Sequence, residues 1–185
     1  MDIKKKLRES LLKEGAHASN NYGCLMVYLD VNQSEWDDLQ NIIDSEDLYE
    51  PAGETGYGKE LEPHVTILYG LHNDISDEEI EEEIEKIQEP SLKLDKVSAF
   101  KNKDFDVLKF DVESSDLHKL NKIFTENFPY TTDYPNYHPH CTTAYVKSGT
   151  ADKYIKELND FGGISVSPSK IVYSKANGQK KKYKF

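Results

Sequence analysis

The chain has 185 residues, of which 37% are hydrophobic and 31% charged, and its formal net charge is −11. This length suits one domain, so we expect a single domain over residues 1–185. The acidic balance disfavours binding along a long nucleic acid, no run approaches the roughly 20 apolar residues of a membrane span, and the charged residues 1–6 do not resemble a signal peptide. We therefore expect a cytoplasmic protein whose partner is a small molecule, with no membrane and no long nucleic acid.

The first half of the chain predicts alternating helices and strands. Ser34 is the predicted N-cap of one helix, and Ser76 with Glu79 forms a capping box for another. The glutamates of that second helix are interpreted as a solvated face. In chain order the predicted elements are a helix over 3–15, a strand over 24–29, a helix over 34–43, a loop over 50–62, a strand over 64–70 and a helix over 77–88.

The second half repeats this pattern. Its predicted elements are strands over 92–100 and 105–112, a helix from Ser115, a loop over 129–139, a strand over 140–146, a helix over 151–160 and a closing hairpin of 164–174 with 181–185, turned at Asn177 and Gly178. The sequence Pro-His-x-Thr-x-x-Tyr occurs twice, starting at Pro63 and Pro139, 76 residues apart. We therefore expect two similar, interleaved halves whose histidine-bearing strands meet in a central cleft.

Alternate side chains of a β-strand share a face. His64 therefore shares a face with Thr66, and His140 shares one with Thr142. Burying an imidazole and a hydroxyl is costly unless both find partners, so we expect both pairs to face a cleft that binds an anion. Alternation also predicts that Leu68 and Ala144 face the cleft, and that Val65, Ile67, Tyr69, Cys141, Thr143 and Tyr145 face the packing side.

The two cysteines, Cys24 and Cys141, lie in apolar segments, and we interpret both as buried free thiols rather than a disulfide. Cys141 lies between His140 and Thr142 in the sequence. Because alternation turns it away from both, a catalytic Cys141 is disfavoured.

Two histidines suit acid–base chemistry near neutral pH, because one imidazole can accept a proton while the other donates one. Threonine hydroxyls can donate hydrogen bonds to the phosphate oxygens that gain charge in the transition state. This chemistry needs no metal and no cofactor. His138 and His140 could be read as a metal-ligand pair, but the proline between them and the absence of nearby acidic or cysteine ligands favour a loop histidine.

The segments His64-Val65-Thr66-Ile67 and His140-Cys141-Thr142-Thr143 resemble the paired motifs of the 2H phosphoesterase superfamily. This resemblance implies an α+β fold of two pseudo-symmetric lobes, each an antiparallel sheet with helices outside, around a central cleft. It also implies catalytic roles for His64, Thr66, His140 and Thr142. The sequence from Glu62 to Leu71 is most similar to the branch of phage enzymes that degrade the cyclic nucleotide signals of bacterial CBASS immunity.

The branch resemblance implies a cyclic oligonucleotide substrate and, for a phage protein, action in the host cytoplasm. Hydrolysis or ligation at 2′,3′-cyclic phosphate ends of RNA is an alternative, and a module that only sequesters cyclic nucleotides is another. Nucleobases need aromatic or charged contacts. The candidates nearest the predicted cleft are Tyr22, Tyr137 and Lys175. The lysines at 180–184 are interpreted as the solvent-facing side of an edge strand.

Overall fold

The computed structural model describes residues 22–54, 56–134 and 136–185. The predicted N-terminal helix over 3–15 lies outside these ranges. Within them the chain forms one seven-stranded antiparallel sheet and four α-helices, so the predicted α+β class is confirmed. No helix of the described residues is long and apolar enough to cross a membrane.

The strands pair in the order β1-β2-β5-β4-β3-β6-β7, and β6 also pairs with β1. Six strands therefore close into a ring of pairings, and β7 extends it at β6. The strands are β1 (Tyr22–Asp30), β2 (His64–His72), β3 (Leu92–Lys101), β4 (Phe105–Glu113), β5 (His140–Lys147), β6 (Ile164–Ser174) and β7 (Lys180–Tyr183).

Two groups of strands form the two lobes. The first lobe contains β1, β2, β7 and the second part of β6, and the second lobe contains β3, β4 and β5. The lobes are joined by short pairings, one between β2 and β5 and one between residues 92–94 of β3 and 164–166 of β6. The cleft lies on the face of the sheet that both lobes share.

The helices are α1 (Gln33–Asn41), α2 (Asp77–Ile84), α3 (Ser115–Asn127) and α4 (Asp152–Leu158). The predicted capping box of α2 is present, with Ser76 and Glu79 bonded reciprocally. Asn32, and not the predicted Ser34, caps α1, whereas α3 begins at Ser115 as predicted. Asn32 accepts from the amide of Ser34, and Ser114 accepts from the amide of Leu117. The reason is that a cap side chain must precede the amides it accepts from, and Asn and Ser both serve well.

The main core fills the space between the sheet and the helices, with α3 packed on β2 and α4 packed on β3. On the opposite face of the sheet, two smaller apolar clusters border the cleft. One contains Cys24, Met26, Tyr28 and Val172, and the other contains Tyr49, Tyr57, Phe100, Phe105, Val107 and Tyr145. The sheet is thus apolar on both faces, and the two His/Thr motifs interrupt its second face.

A register shift interrupts both histidine-bearing strands just after the motif threonine. On β2 the partners of β1 step from Thr66 to Leu68, which leaves Ile67 as an extra residue. On β5 the partners of β4 step from Thr142 to Ala144, which leaves Thr143 as the extra residue. An extra residue of this kind is a β-bulge, and it puts the alternation of the following side chains out of phase.

Candidate active site

The two His/Thr pairs lie together in one cleft. β2 and β5 pair through the residue that follows each histidine. Because the strands run antiparallel, His64 comes alongside Thr142 and Thr66 alongside His140. All four side chains line a cavity of about 420 Å³. The structure therefore brings together the four residues that the sequence predicted as a site.

The His64 ring is held by a main-chain bond and an aromatic contact. Its Nδ1 is 2.8 Å from the carbonyl oxygen of Glu62, and its ring stacks on Tyr28 with centroids 5.3 Å apart. A carboxylate oxygen of Glu60 lies 4.0 Å from Nδ1.

The His140 ring is held in a similar way but in a different electrostatic environment. Its Nδ1 is 2.8 Å from the carbonyl oxygen of His138, and the edge of Phe100 contacts the ring at 5.0 Å. Burial lowers the pKa of His140 to about 4, and the positive charge of Lys109 acts in the same direction, whereas the bond to His138 opposes the shift. The two imidazoles are therefore not equivalent.

Lys109 is a site residue that the sequence analysis missed. It lies on β4 directly opposite Thr142, and it is only 5% exposed. Its ammonium group forms an ion pair with Asp111, donates to Ser98 Oγ at 2.7 Å, and lies 4.4 Å from the centroid of the Phe100 ring. The apolar pattern of β4 gave no sign that a lysine within it would lie beside the cleft.

Because of the β-bulges, the side chains that follow each motif threonine lie on the opposite face of the sheet from the one predicted. Tyr69 and Tyr145 were predicted to face the packing side, yet both line the cavity with the His/Thr pairs. Leu68 and Ala144 were predicted to face the cleft and instead lie in the main core. The physical reason is the extra residue in each strand, which reverses the alternation beyond it.

One branch of the cleft lies against the β6–β7 hairpin, and we name it the hairpin branch. It is bordered by the chain around Gly56–Glu62 and by residues of the first lobe. Side chains of positive and of negative charge both line the hairpin branch. The charged side chains that line it are Lys59, Glu60, Glu62, Lys175 and Lys180.

A second cavity of about 520 Å³ shares Thr66, Tyr69, Phe100 and His140 with the first, and we name it the tyrosine branch. It lies under the loop that precedes β5, and its further lining includes Asn121, Tyr130, Tyr134, Asn136 and Tyr137. Space therefore extends from the His/Thr pairs in two directions.

Gly70 fixes the loop that covers the tyrosine branch. The Thr131 amide donates to the Gly70 carbonyl at 2.9 Å. Gly70 has φ +100°, and a Cβ at this position would lie 2.0 Å from the Thr131 carbonyl oxygen. Only glycine fits this close approach.

The three predicted substrate-binding residues lie at the cleft in different ways. Tyr22 lines the hairpin branch, where its ring lies 5.7 Å from that of His72. Tyr137 lines the tyrosine branch, and its hydroxyl donates to the Thr66 carbonyl at 2.8 Å. Lys175 lines the hairpin branch, but its ammonium group pairs with Asp77 at 2.6 Å.

Within the described residues neither Cys24 nor Cys141 forms a disulfide, and the two side chains occupy different environments. Cys141 is fully buried and packs in the main core, and burial raises the pKa of its thiol far above the usual range. Cys24 was expected to be buried, but it is only partly so and lines the cleft. The packing face predicted for Cys141 is therefore confirmed.

His138 and His140 are the two histidines that a metal-ligand reading of the sequence would pair. Among residues 22–54, 56–134 and 136–185, no three His, Cys, Asp or Glu side chains are grouped so that they could hold a metal ion. His138 instead supplies the carbonyl that holds the His140 ring.

A protein-family model described as the 2'-5' RNA ligase superfamily matches residues 27–177. The chain belongs to this superfamily. The matched range contains both His/Thr pairs, in agreement with the resemblance to 2H phosphoesterases. No curated protein sequence matches the chain. The match does not distinguish branches of the superfamily, so the phage anti-CBASS branch stays a prediction.

Two solved structures are similar to this superfamily member, namely Kluyveromyces marxianus Usb1 and the same protein with uridine monophosphate. Each aligns with a TM-score of 0.54 and 10% sequence identity, over 91% of this chain and 100% of that chain. At this identity the likeness concerns the fold alone. The family match and this fold together support a phosphoesterase.

Proposed function

We propose that this protein is a metal-independent phosphodiesterase that acts at the ends of short RNA chains. The observation that carries the proposal is the crosswise meeting of two His/Thr pairs in one cleft. One phosphate bound there contacts an imidazole and a hydroxyl from each lobe. Membership in the 2'-5' RNA ligase superfamily favours RNA as the substrate class.

The hydrogen bonds of the two rings determine which nitrogen takes part. Nδ1 of His64 and Nδ1 of His140 each lie 2.8 Å from a carbonyl oxygen. A carbonyl only accepts hydrogen bonds, so each Nδ1 carries a hydrogen and donates it. Nε2 is then the nitrogen of each ring that is available for proton transfer.

We assign His140 as the base and His64 as the acid. The pKa of His140 is lowered to about 4 by burial, with the charge of Lys109 acting in the same direction, so this ring is neutral at neutral pH. His64, whose Nδ1 lies 4.0 Å from a Glu60 carboxylate oxygen, is the other imidazole of the pair and takes the role of the acid. The pair thus provides one base and one acid at the same pH.

In the first step, Nε2 of His140 takes the proton of the ribose 2′-hydroxyl, and the 2′-oxygen forms a bond to phosphorus. The bond from phosphorus to the 5′-oxygen of the leaving nucleoside breaks, and His64 gives its Nε2 proton to that oxygen. The products are a 2′,3′-cyclic phosphate and a free 5′-hydroxyl. Water can then open the cyclic phosphate, with His64 as the base and His140 as the acid.

The threonines stabilise the phosphate during both steps. As the pentacoordinate state forms, negative charge grows on the non-bridging oxygens, and the hydroxyls of Thr66 and Thr142 donate hydrogen bonds to them. Removing one such donor typically slows an enzyme by roughly 10² to 10³. The Thr66 carbonyl is bound by Tyr137, which keeps this part of β2 in place.

The two branches leave room for a nucleoside on each side of the scissile phosphate. The tyrosine branch has aromatic side chains on which a terminal base can stack, including Tyr130 and Tyr134. One of the similar structures is a complex with uridine monophosphate, which makes uracil a suitable first base to test. The hairpin branch then holds the rest of the chain.

A substrate panel tests the proposal. Uridylyl-3′,5′-uridine, a short oligouridylate and uridine 2′,3′-cyclic phosphate are incubated with the protein, and products are separated by chromatography. We expect cleavage that yields a 2′,3′-cyclic phosphate, and no cleavage of a dinucleotide whose attacking ribose lacks the 2′-hydroxyl. Cleavage of that deoxy substrate would contradict the mechanism, and the His64→Ala variant is the matched control.

A cyclic dinucleotide with 3′,5′ linkages is the second candidate substrate. The observation that favours it is the presence of tyrosines on both sides of the His/Thr pairs, such as Tyr57 in the hairpin branch and Tyr130 in the tyrosine branch. The same 2′-hydroxyl attack would open the ring. Adding this compound to the panel separates the two substrates by their relative kcat/KM. Binding without products for every compound would favour a module that only sequesters nucleotides.

A further inference from the structure

Three lysines of the first lobe lie on the same face of the sheet as the catalytic motif, and we name them the lysine strip: Lys170, Lys180 and Lys182. Side chains directly opposite each other on antiparallel strands share a face. Each lysine of the strip therefore ends a row of paired residues that begins in the cleft. The rows are His64-Tyr28-Lys170, Thr66-Met26-Val172-Lys182 and Tyr69-Cys24-Ser174-Lys180.

The length of these rows places the strip beyond the scissile phosphate. Neighbouring strands lie about 4.8 Å apart, so two or three spacings put the strip roughly 10 to 15 Å from the motif residues of β2. Lys180 lines the hairpin branch itself. A phosphate held by the strip is thus a different phosphate from the one between the histidines.

The strip differs from other lysines of the first lobe in its partners. Lys175 and Lys181 both pair with the Asp77 carboxylate. In the described part of the chain, no lysine of the strip pairs with a carboxylate. Lys170 lies 4.9 Å from the centroid of the Tyr28 ring, and Lys180 donates to the Tyr28 hydroxyl at 3.3 Å. Their positive charges are therefore available to an anionic ligand.

The predicted edge strand is β7, and its lysines divide between the two faces of that strand. Lys181 packs toward α2 through Asp77, whereas Lys180 and Lys182 project from the other face of β7, beside the cleft. Protection of an edge strand does not require its lysines to align with the rows of a catalytic motif. In a chain with a net charge of −11, this local positive strip is suited to an anionic ligand.

We propose that the lysine strip binds the phosphate backbone of a linear single-stranded oligonucleotide whose end lies in the cleft. The inference rests on the proposed phosphodiesterase function, and it adds a direction to it. The terminal base lies in the tyrosine branch, and the chain leaves across the first lobe toward β7. Lys180 of the strip and the carboxylates of Glu60 and Glu62 all line the hairpin branch, so charge favours a path through this branch along Lys180 and not along the glutamates.

Binding of fluorescein-labelled oligothymidylates of two and eight nucleotides tests the proposal. These probes lack the 2′-hydroxyl, so binding is measured without turnover. The variant is Lys170→Gln with Lys182→Gln, and the control is Lys122→Gln with Lys156→Gln, two exposed lysines on α3 and α4. Both pairs of substitutions change the net charge equally. Fluorescence anisotropy gives the ratio of the two dissociation constants at several salt concentrations.

We expect the longer probe to bind more tightly to the wild-type protein, and the strip variant to reduce this length effect by about five-fold or more. The slope of log affinity against log salt should also fall by about 0.7 for each lost phosphate contact. The proposal would be overturned if the ratio of the two dissociation constants were the same in the strip variant as in the control variant. So would a wild-type protein that binds both probes equally or binds neither.

The probe-binding data and the RNA substrate panel together separate this inference from the proposed function. If the protein turns over the RNA panel but the strip variant keeps the wild-type preference for the longer probe, the lysine strip proposal is contradicted and the phosphodiesterase function is not. A length effect that depends on the strip, without turnover of any RNA, contradicts the phosphodiesterase function and leaves an oligonucleotide-binding surface.

Discussion

Val65 of β2 and Cys141 of β5 lie opposite each other, and theirs is the one register pair between these strands in the described chain. Both side chains are fully buried in the main core. The residues before and after them therefore turn to the cleft, where each histidine lies beside the threonine of the other motif. This crosswise arrangement lets a single phosphate contact both motifs.

Replacing Cys141 by Ala should reduce stability and leave turnover intact. The thiol is fully buried and faces the core, so its removal leaves a small cavity that costs about 1 kcal/mol of unfolding free energy. Urea unfolding measures the cost, and steady-state kinetics measure turnover. If the Cys141→Ala protein is folded but loses as much turnover as His140→Ala, the conclusion that the Cys141 side chain points away from the cleft is contradicted.

The single variants His64→Ala and His140→Ala should each lower kcat by roughly 10² to 10⁴, because each removes one proton transfer. Substrate binding should change little, since the threonines and both branches remain. The double variant should lose less than the product of the two single losses, because the pair acts as one unit. Turnover close to normal in either single variant would exclude that residue from the proton transfers.

The pH profile of kcat/KM should be bell-shaped, with its acidic limb near pH 4. Burial lowers the pKa of His140 to about 4, so this ring stays neutral and able to accept a proton well below the ordinary imidazole value. As pH falls through that pKa, the base becomes protonated and the rate declines. The profile has two limbs because the mechanism needs one neutral and one protonated imidazole at the same time. An acidic limb near pH 6.5, the ordinary imidazole pKa, would contradict the assignment of His140 as the base.

Replacing Lys109 by Met should move the acidic limb to higher pH. The change removes a positive charge near His140 and leaves the Asp111 carboxylate without its ion pair, and both effects favour the protonated imidazole. Stability should fall as well, so the profile is measured below the unfolding temperature of the variant. Lys93→Met is the control, because Lys93 pairs with Asp95 and Glu113 and is not among the groups that shift the pKa of His140. If the acidic limb of Lys109→Met stays at the wild-type pH, the charge of Lys109 does not contribute to the lowered pKa of His140.

Activity should survive dialysis against excess EDTA, because the two imidazoles supply both proton transfers and the threonines stabilise the phosphate. Adding zinc or manganese afterwards should not increase kcat/KM. Loss of turnover that either metal restores would contradict the two-histidine mechanism. It would also favour His138 and His140 as a ligand pair.

Local sequence rules were sufficient to predict most of the elements and the four motif residues. His64-x-Thr66 and His140-x-Thr142 repeat within similar strand–helix units, and two residues of separation on a strand put each pair on one face. The capping box at Ser76 and the Asn177-Gly178 turn also depend on neighbours in the sequence alone. These features are local, so the sequence by itself determined them.

Features that depend on a neighbouring strand could be known only from the tertiary structure. The extra residues Ile67 and Thr143 exist only relative to the strands that pair with β2 and β5, so alternation predicted Tyr69 and Tyr145 on the wrong face. Lys109 lies beside the cleft because β4 pairs with β5 in one register. The lysine strip likewise aligns with the motif only through the register of β1, β6 and β7. Register is set by packing between distant segments, and no local pattern specifies it.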